Sequence, residues 1–205
     1  MSDESDLVRR GYDRLAERFS AWRDSITGSP EVEWVAEALS RAPQGAVLEL
    51  GCGQGGIGAY VLGAGRAYTG VDLSAEQLQR AGTRLPTATL VQDNMTTVTF
   101  EPASFAAVVS VYAFNHVPRG RLPVLLERIG RWLQPGGHLL ATFGTTGVEG
   151  VERDWLGVPM FFSSSTPAEN LGLVSAAGFD VVREEVVPIE EPEGEARFHW
   201  VLART

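Results

Sequence analysis

Cysteine is almost missing from this 205-residue chain. Cys52 stands alone, so no internal disulfide can form and no cysteine-based structural zinc site can be built. Basic residues are scarce as well, 17 against 26 acidic ones, for a formal net charge of −9. A nucleic-acid backbone rewards clustered cations, so this balance disfavours DNA or RNA as a partner. No apolar run is long enough to cross a bilayer. The opening residues Met1-Ser2-Asp3-Glu4-Ser5-Asp6 are acidic, without the apolar stretch of a signal peptide. A cytoplasmic protein with no membrane partner is expected. Acids and histidines nowhere cluster at ligand spacing, so no metal is expected. Repeats and low-complexity linkers are also missing, and the length suits one domain over residues 1–205.

What remains is a regular alternation of elements. Tyr12, Leu15, Phe19 and Trp22 recur at helical spacing and predict a helix over 6–22. Val32, Val35 and Leu39 mark a second helix after Ser29-Pro30-Glu31. These two form an N-terminal helical cap over 1–43, ahead of a core over 44–205. A strand over 46–50, a helix over 55–63 and a strand over 67–71 come next. Ser74-Ala75-Glu76-Gln77 carries capping-box chemistry for another helix. Thr87 to Val91 reads as a third strand. The run 105–111 reads as a fourth, apolar throughout as a strand buried on both faces should be. Leu122, Leu126, Ile129 and Leu133 line a helix that Pro135-Gly136-Gly137 stops, before a fifth strand over 138–143. Two further strand-like runs, 179–187 and 197–203, flank the acidic loop 190–195, and so short a connection suits antiparallel pairing. The arginines Arg119, Arg121, Arg128 and Arg131 read as a solvated helical face. The fold class is α/β, a doubly wound and mostly parallel sheet.

The most informative stretch is Val47-Leu48-Glu49-Leu50-Gly51-Cys52-Gly53-Gln54-Gly55. An apolar strand ends near a carboxylate and feeds a glycine turn that opens a helix, the arrangement that binds nucleotide-like ligands at a sheet edge. A second acid, Asp72, ends the next strand. Gly51-x-Gly53-x-x-Gly56 also fits the dinucleotide pattern, with Asp72 near the ribose-binding distance. Glu49 favours another ligand. A pyrophosphate prefers a helix N-terminus free of nearby negative charge, whereas a cationic ligand gains from a carboxylate there.

With Glu49, the Gly51/Gly53/Gly55 turn and Asp72, the chain resembles the class I S-adenosylmethionine-dependent methyltransferases that act on small molecules. The resemblance extends through Asp93-Asn94-Met95, Ser110-Val111-Tyr112, the run 133–140 and Tyr12-Asp13-Arg14-Leu15-Ala16. It implies a Rossmann-like seven-stranded sheet ending in an antiparallel hairpin, with S-adenosylmethionine as cofactor and S-adenosylhomocysteine as product. It implies cofactor contacts from Tyr12, Glu49, Gly51, Cys52, Gly53, Gly55, Asp72, Leu73, Asp93, Asn94, Met95 and Ser110. Glu49 then meets the ammonium, Asp72 the ribose hydroxyls and Asp93 the adenine amino group. Where many relatives have a second tyrosine this chain has Phe19.

Methyl transfer from a sulfonium gains much of its rate from in-line positioning. A base is needed only for an acceptor that keeps its proton until attack, and His116, in the loop after the fourth strand, and Tyr12 are the candidates. His138 and His199 lie in strands and read as structural, and Cys52 as a small residue in a tight turn. The aromatic segment 155–162 lies in an insertion over 145–165 that can cover the site, so Trp155 and Phe161, with Trp22 and Tyr112, are candidate substrate residues. A small-molecule methyl acceptor and a monomer or homodimer are expected. Two alternatives remain open, an NAD(P)-dependent oxidoreductase and a non-catalytic S-adenosylmethionine-binding protein.

Overall fold

Within Val47-Leu48-Glu49-Leu50, successive side chains point to opposite sides of the strand. Leu48 and Leu50 enter one apolar layer and Val47 the other, so Glu49 is directed into the second layer. The computed structural model describes residues 3–26, 29–192 and 194–205. Met1, Ser2 and Glu193, read above as parts of the acidic N-terminus and acidic loop, lie outside them, as do Thr27 and Gly28.

In chain order the elements are α1 (Asp3–Ser25), α2 (Glu31–Arg41), β1 (Ala46–Leu50), α3 (Gly56–Gly63), β2 (Tyr68–Asp72), α4 (Ala75–Arg84), β3 (Thr89–Gln92), β4 (Phe105–Ser110), α5 (Leu122–Trp132), β5 (Leu133–Gly144), β6 (Glu149–Trp155), β7 (Val158–Ser163), α6 (Pro167–Ala176), β8 (Asp180–Glu191) and β9 (Gly194–Arg204). Seven strands form one sheet in the order β3-β2-β1-β4-β5-β9-β8. The first five run parallel, and β9 pairs antiparallel with both β5 and β8. This is the expected doubly wound sheet with its terminal hairpin. Chain order reverses between β1 and β4, which opens a crevice at their carboxyl ends.

Helices α5 and α6 cover one face through Leu125, Leu126, Ile129 and Val174. Helices α2 and α3 cover the other through Trp34, Val35, Ala38, Leu39 and Val61. Here α2 departs from expectation. It packs on the sheet with Trp34 against Trp200, ring centroids 5.5 Å apart, and leaves Val32 exposed. Only α1 acts as a cap. Its Val8 and Leu15 pack with Trp155, Met160 and Phe161 in a third apolar cluster outside the sheet. The crossing is close: a Cβ on Gly11 would fall 2.6 Å from the Met160 Cε.

Four further differences have physical causes. Strands β6 and β7 form a separate antiparallel hairpin, which the aromatic density of the segment hid. Leu156 and Gly157 at its turn both adopt positive φ, as a tight two-residue hairpin turn demands. Helix α6 went unread although Thr166 and Glu169 make a reciprocal capping box and Pro167 occupies the first turn. Pro135-Gly136-Gly137 does not end α5, which stops at Trp132; those residues form a bulge inside β5, where the register with β4 shifts. Arg128 is no free surface charge: it donates to the Thr96 and Val98 carbonyls and lies over the Trp132 ring.

Trp34, sandwiched between Trp200 and the Arg183 guanidinium 3.9 Å from its ring centre, anchors α2 to the sheet. Trp34→Ala should lower the unfolding free energy in urea by about 3–5 kcal/mol, as for other buried large-to-small changes.

Candidate functional site

The turn after β1 is set by glycines that no other residue replaces. Gly51 has φ 77°, and a Cβ there would lie 2.4 Å from the Ala113 Cβ. Gly55 has φ 82° and caps α3, with Leu85 Cδ1 only 2.5 Å from where its Cβ would be. Left-handed backbone and close approach together require glycine. Gly55 thus stands behind the turn, whereas Gly51, Cys52 and Gly53 line a chamber above it.

Two of the carboxylates that line this chamber, Glu49 and Asp72, stand at the glycine turn. Glu49, 3% exposed, accepts a hydrogen bond of 2.5 Å from the Tyr68 hydroxyl. Burial pushes its pKa up to about 8, against the pull of the Tyr68 bond. Asp72 is fixed through both oxygens, Oδ2 by the Gly53 N–H at 2.8 Å and Oδ1 by the Ser74 N–H at 2.9 Å. Burial raises its pKa while those two N–H donors oppose the rise. Each oxygen keeps a free lone pair, so Asp72 can still receive two hydroxyls. Burial also holds the Cys52 thiol well above its ordinary pKa, next to Asp72 and Glu49, so it is protonated at neutral pH and unreactive.

Leu73, Asp93, Asn94 and Met95 line the same chamber. Asp93 is exposed at its rim and accepts from the Asn94 N–H. The Asn94 carboxamide is committed to Ser5 and Thr96. Ser110 does not join them: it is fully buried and donates to the Leu50 carbonyl at 3.0 Å, tying β4 to β1 beneath the chamber. The Ser74 hydroxyl caps α4 through the Gln77 N–H, but the reciprocal half of the expected capping box is missing. The Gln77 amide is buried without a hydrogen-bond partner and lines the chamber instead.

Helix α1 closes the chamber from above. The Ser74 hydroxyl donates to Asp13, Gln54 to Asp24 and Asn94 to Ser5, and Arg84 pairs with Asp24 at 3.0 Å. Beyond Tyr12, Phe19, Arg23, Tyr112 and His116, which face both sides, lies a second chamber of about 810 Å³. Of the candidate substrate residues, Trp22, Tyr112 and Trp155 line it; Phe161 does not. Phe161 turns toward α1, and its neighbour Phe162 faces the chamber. A one-residue error along a strand always selects the opposite face.

At the junction, the Tyr12 hydroxyl and His116 Nε2 are 2.9 Å apart, and His116 Nδ1 lies 2.8 Å from the Phe161 carbonyl. A carbonyl only accepts, so Nδ1 carries the proton, and Nε2 receives the Tyr12 hydroxyl. Burial lowers the His116 pKa to about 4 and raises that of Tyr12 well above its ordinary value, so both are neutral. Tyr112 sits at φ 57°, an unfavourable backbone for a bulky residue, held by its N–H on Thr142 and by Arg23 over its ring. Sequence reasoning missed Tyr68, Gln77, Asn115, Phe162 and Phe198. Of these, Gln77 lay in the capping pattern at Ser74 and Phe162 in the aromatic segment 155–162, whereas Tyr68 is placed only by the register of β2, opposite Val47. The other histidines serve structure: His138 is buried in β5, and His199 in β9 lies against Glu184. Among the described residues, no group of three or more His, Cys, Asp or Glu could hold a metal ion, and no helix is long and apolar enough to cross a membrane.

Residues 47–137 match the model of a family described as a methyltransferase domain. Over 97 residues the chain is 38% identical to a probable phthiotriol/phenolphthiotriol dimycocerosates methyltransferase of Mycobacterium ulcerans, covering 45% of this chain and 36% of that protein. Over 100 residues it is 36% identical to a fatty-acid O-methyltransferase of Mycolicibacterium smegmatis, covering 47% and 36%. The chain thus spans little more than a third of the length of these relatives. In fold it is similar to a 1,6-didemethyltoxoflavin-N1-methyltransferase of Burkholderia thailandensis, solved with bound 1,6-didemethyltoxoflavin and S-adenosylhomocysteine. That similarity has a TM-score of 0.75 at 22% identity, over 96% of this chain and 86% of the other.

The raised pKa of Glu49 has a stability consequence. A carboxyl whose folded pKa lies above its unfolded value of 4.5 binds its proton more tightly when folded, so stability is lost as pH rises from about 4.5 to 8. Thermal melts of the ligand-free protein should therefore show Glu49→Gln gaining on the wild type across this window. A pH-independent difference between the two would mean that Glu49 titrates normally.

Proposed function

We infer that this chain, whose residues 47–137 match the model of a methyltransferase domain, is a class I S-adenosylmethionine-dependent methyltransferase that acts on a small-molecule acceptor. The observation that carries this reading is the acid pair at the glycine turn, the buried Glu49 held by Tyr68 and the Asp72 oriented by two backbone N–H groups. A pyrophosphate would give the buried Glu49 no cation to ionise against and would meet the negative charge of Asp72, which counts against a nicotinamide cofactor. S-adenosylmethionine brings an ammonium and a ribose diol that match them, and it supplies a methyl group on a sulfonium.

In this reading Glu49 receives the ammonium by a charge-assisted hydrogen bond, Asp72 the ribose hydroxyls, and Asp93 at the rim the adenine amino group, with Leu73 and Met95 beside the ring. Tyr12 and Tyr112 lie where the cofactor chamber meets the acceptor chamber. Helix α1 and the β6–β7 hairpin roof the junction. An oxygen or nitrogen that gains a methyl while still protonated is strongly acidic. It can release its proton to the Tyr12 oxygen as Tyr12 passes its own to His116 Nε2. A weakly basic histidine suffices for that, so Tyr12 and His116 serve as proton acceptors after attack rather than as a strong base before it. The same reading has the protein act in the cytoplasm, as a monomer or homodimer, without nucleic acid or membrane as partner.

Calorimetric titration with S-adenosylmethionine, S-adenosylhomocysteine and NADPH tests this. Binding of the first two and not of NADPH is expected. Asp72→Ala should weaken that binding by roughly 1.5–3 kcal/mol for each charged hydrogen bond lost. NADPH binding alone would replace the reading with an oxidoreductase. Tight S-adenosylmethionine binding without turnover of any acceptor would leave the non-catalytic binding protein.

A further inference from the structure

The second chamber carries information about what it receives. Its aromatic walls come from five separate elements of the chain: Trp22 from α1, Tyr112 from the loop after β4, Trp155 from β6, Phe162 from β7 and Phe198 from β9. Several of these rings already meet edge to face, Trp155 on Phe162 at 5.5 Å and Tyr112 on Phe198 at 4.7 Å between centroids. Flat π-surfaces facing one space favour a flat guest, which adds stacking to simple burial. At about 810 Å³ the space suits a small organic molecule.

The polar groups of the chamber narrow the class further. Asn115 lines it at 8% exposure, and its Oδ1 is buried with no hydrogen-bond partner. An unpaired buried amide is costly unless a ligand completes it, and its neighbour His116 is already engaged on both nitrogens. Among the described lining residues the only arginines are Arg23 and Arg197. Arg23 is paired with Glu31 and Arg197 with Glu195, while Glu152 and Glu191 add negative charge to the lining. A carboxylate would therefore meet a lining with more acids than arginines, Glu152, Glu191 and Glu195 against Arg23 and Arg197, and burying one unpaired is strongly unfavourable.

On the premise that the chain is a methyltransferase, we propose that its acceptor is an uncharged, planar aromatic molecule with a ring hydroxyl or ring N–H, bound between these rings with its polar edge on the Asn115 carboxamide. Transfer then forms a bond from the ring oxygen or nitrogen lone pair to the methyl carbon. The carbon–sulfur bond breaks with its electron pair left on sulfur, and the acceptor's proton leaves its hydrogen bond with the Asn115 carboxamide for the Tyr12–His116 pair. Asn115 selects the acceptor by answering a donor that an acyl chain or a fully alkylated ring does not have.

Binding alone tests this. The full chain, loaded with S-adenosylhomocysteine, is titrated with 2-naphthol, 2-methoxynaphthalene and dodecanoate, read by calorimetry and by quenching of the chamber tryptophans. 2-Naphthol should bind best, roughly tenfold or more above 2-methoxynaphthalene, the worth of one hydrogen bond to a buried group. In Asn115→Leu that preference should vanish with S-adenosylhomocysteine affinity unchanged. Dodecanoate binding more tightly than 2-naphthol, no binding of either naphthalene, or a preference that survives Asn115→Leu would each overturn the proposal. The wild-type comparison stands even if the variant fails to fold. Failure of S-adenosylhomocysteine to bind would count against the methyltransferase reading instead, and the same three probes titrated into the unloaded protein would still decide the chamber's preference.

Discussion

A carboxyl buried at the end of β1 is the constraint around which the rest of this structure is arranged. Glu49 is directed into the layer beneath α2 and α3, where burial lifts its pKa to about 8 and a single tyrosine hydroxyl is its hydrogen-bond partner. A fold does not gain stability from such a group; a hydrophobic residue there would stabilise it more. The group makes sense as a half-site whose other half is a cation. The glycine turn next to it brings that cation's carrier to the backbone, and Asp72, oriented by Gly53 and Ser74, fixes the carrier's other end.

The remainder of the chain builds outward from this point. The reversal of strand order between β1 and β4 opens the crevice, and α1 with the β6–β7 hairpin roofs it. That roof has its own apolar cluster and is tied to the sheet edge by a few polar contacts, Asp13 to Ser74 and Asp24 to Gln54 and Arg84. The Tyr12–His116 pair sits where roof, cofactor chamber and acceptor chamber meet.

The sheet was legible because its central strands β1, β4 and β5 are mostly buried and read as apolar runs, and because glycine turns and Ser74 punctuate the first half sharply. The order of elements, the switch point and the glycine turn with Glu49 and Asp72 beside it all follow from those local signals. The second half was harder. The β6–β7 hairpin carries charges along one strand and aromatics along the other, so neither shows clean alternation, and the facing of Phe161 and Phe162 could not be told apart. Ser110 ends β4 beneath the chamber and not in its lining, a placement that only tertiary packing reveals. Tyr68 and Asn115 had no motif at all. Their importance comes from burial and from hydrogen bonds made or left unmade, which are properties of the folded chain.

The most direct measurement is the proton balance of cofactor binding: calorimetric titration with S-adenosylmethionine at pH 6.5, in buffers of different ionisation enthalpy. If Glu49 is protonated in the free protein and ionises to meet the ammonium, the wild type will release close to one proton per ligand bound and Glu49→Gln will release none. Equal proton balance in the two proteins would contradict the account and remove the buried carboxyl from the centre of the site.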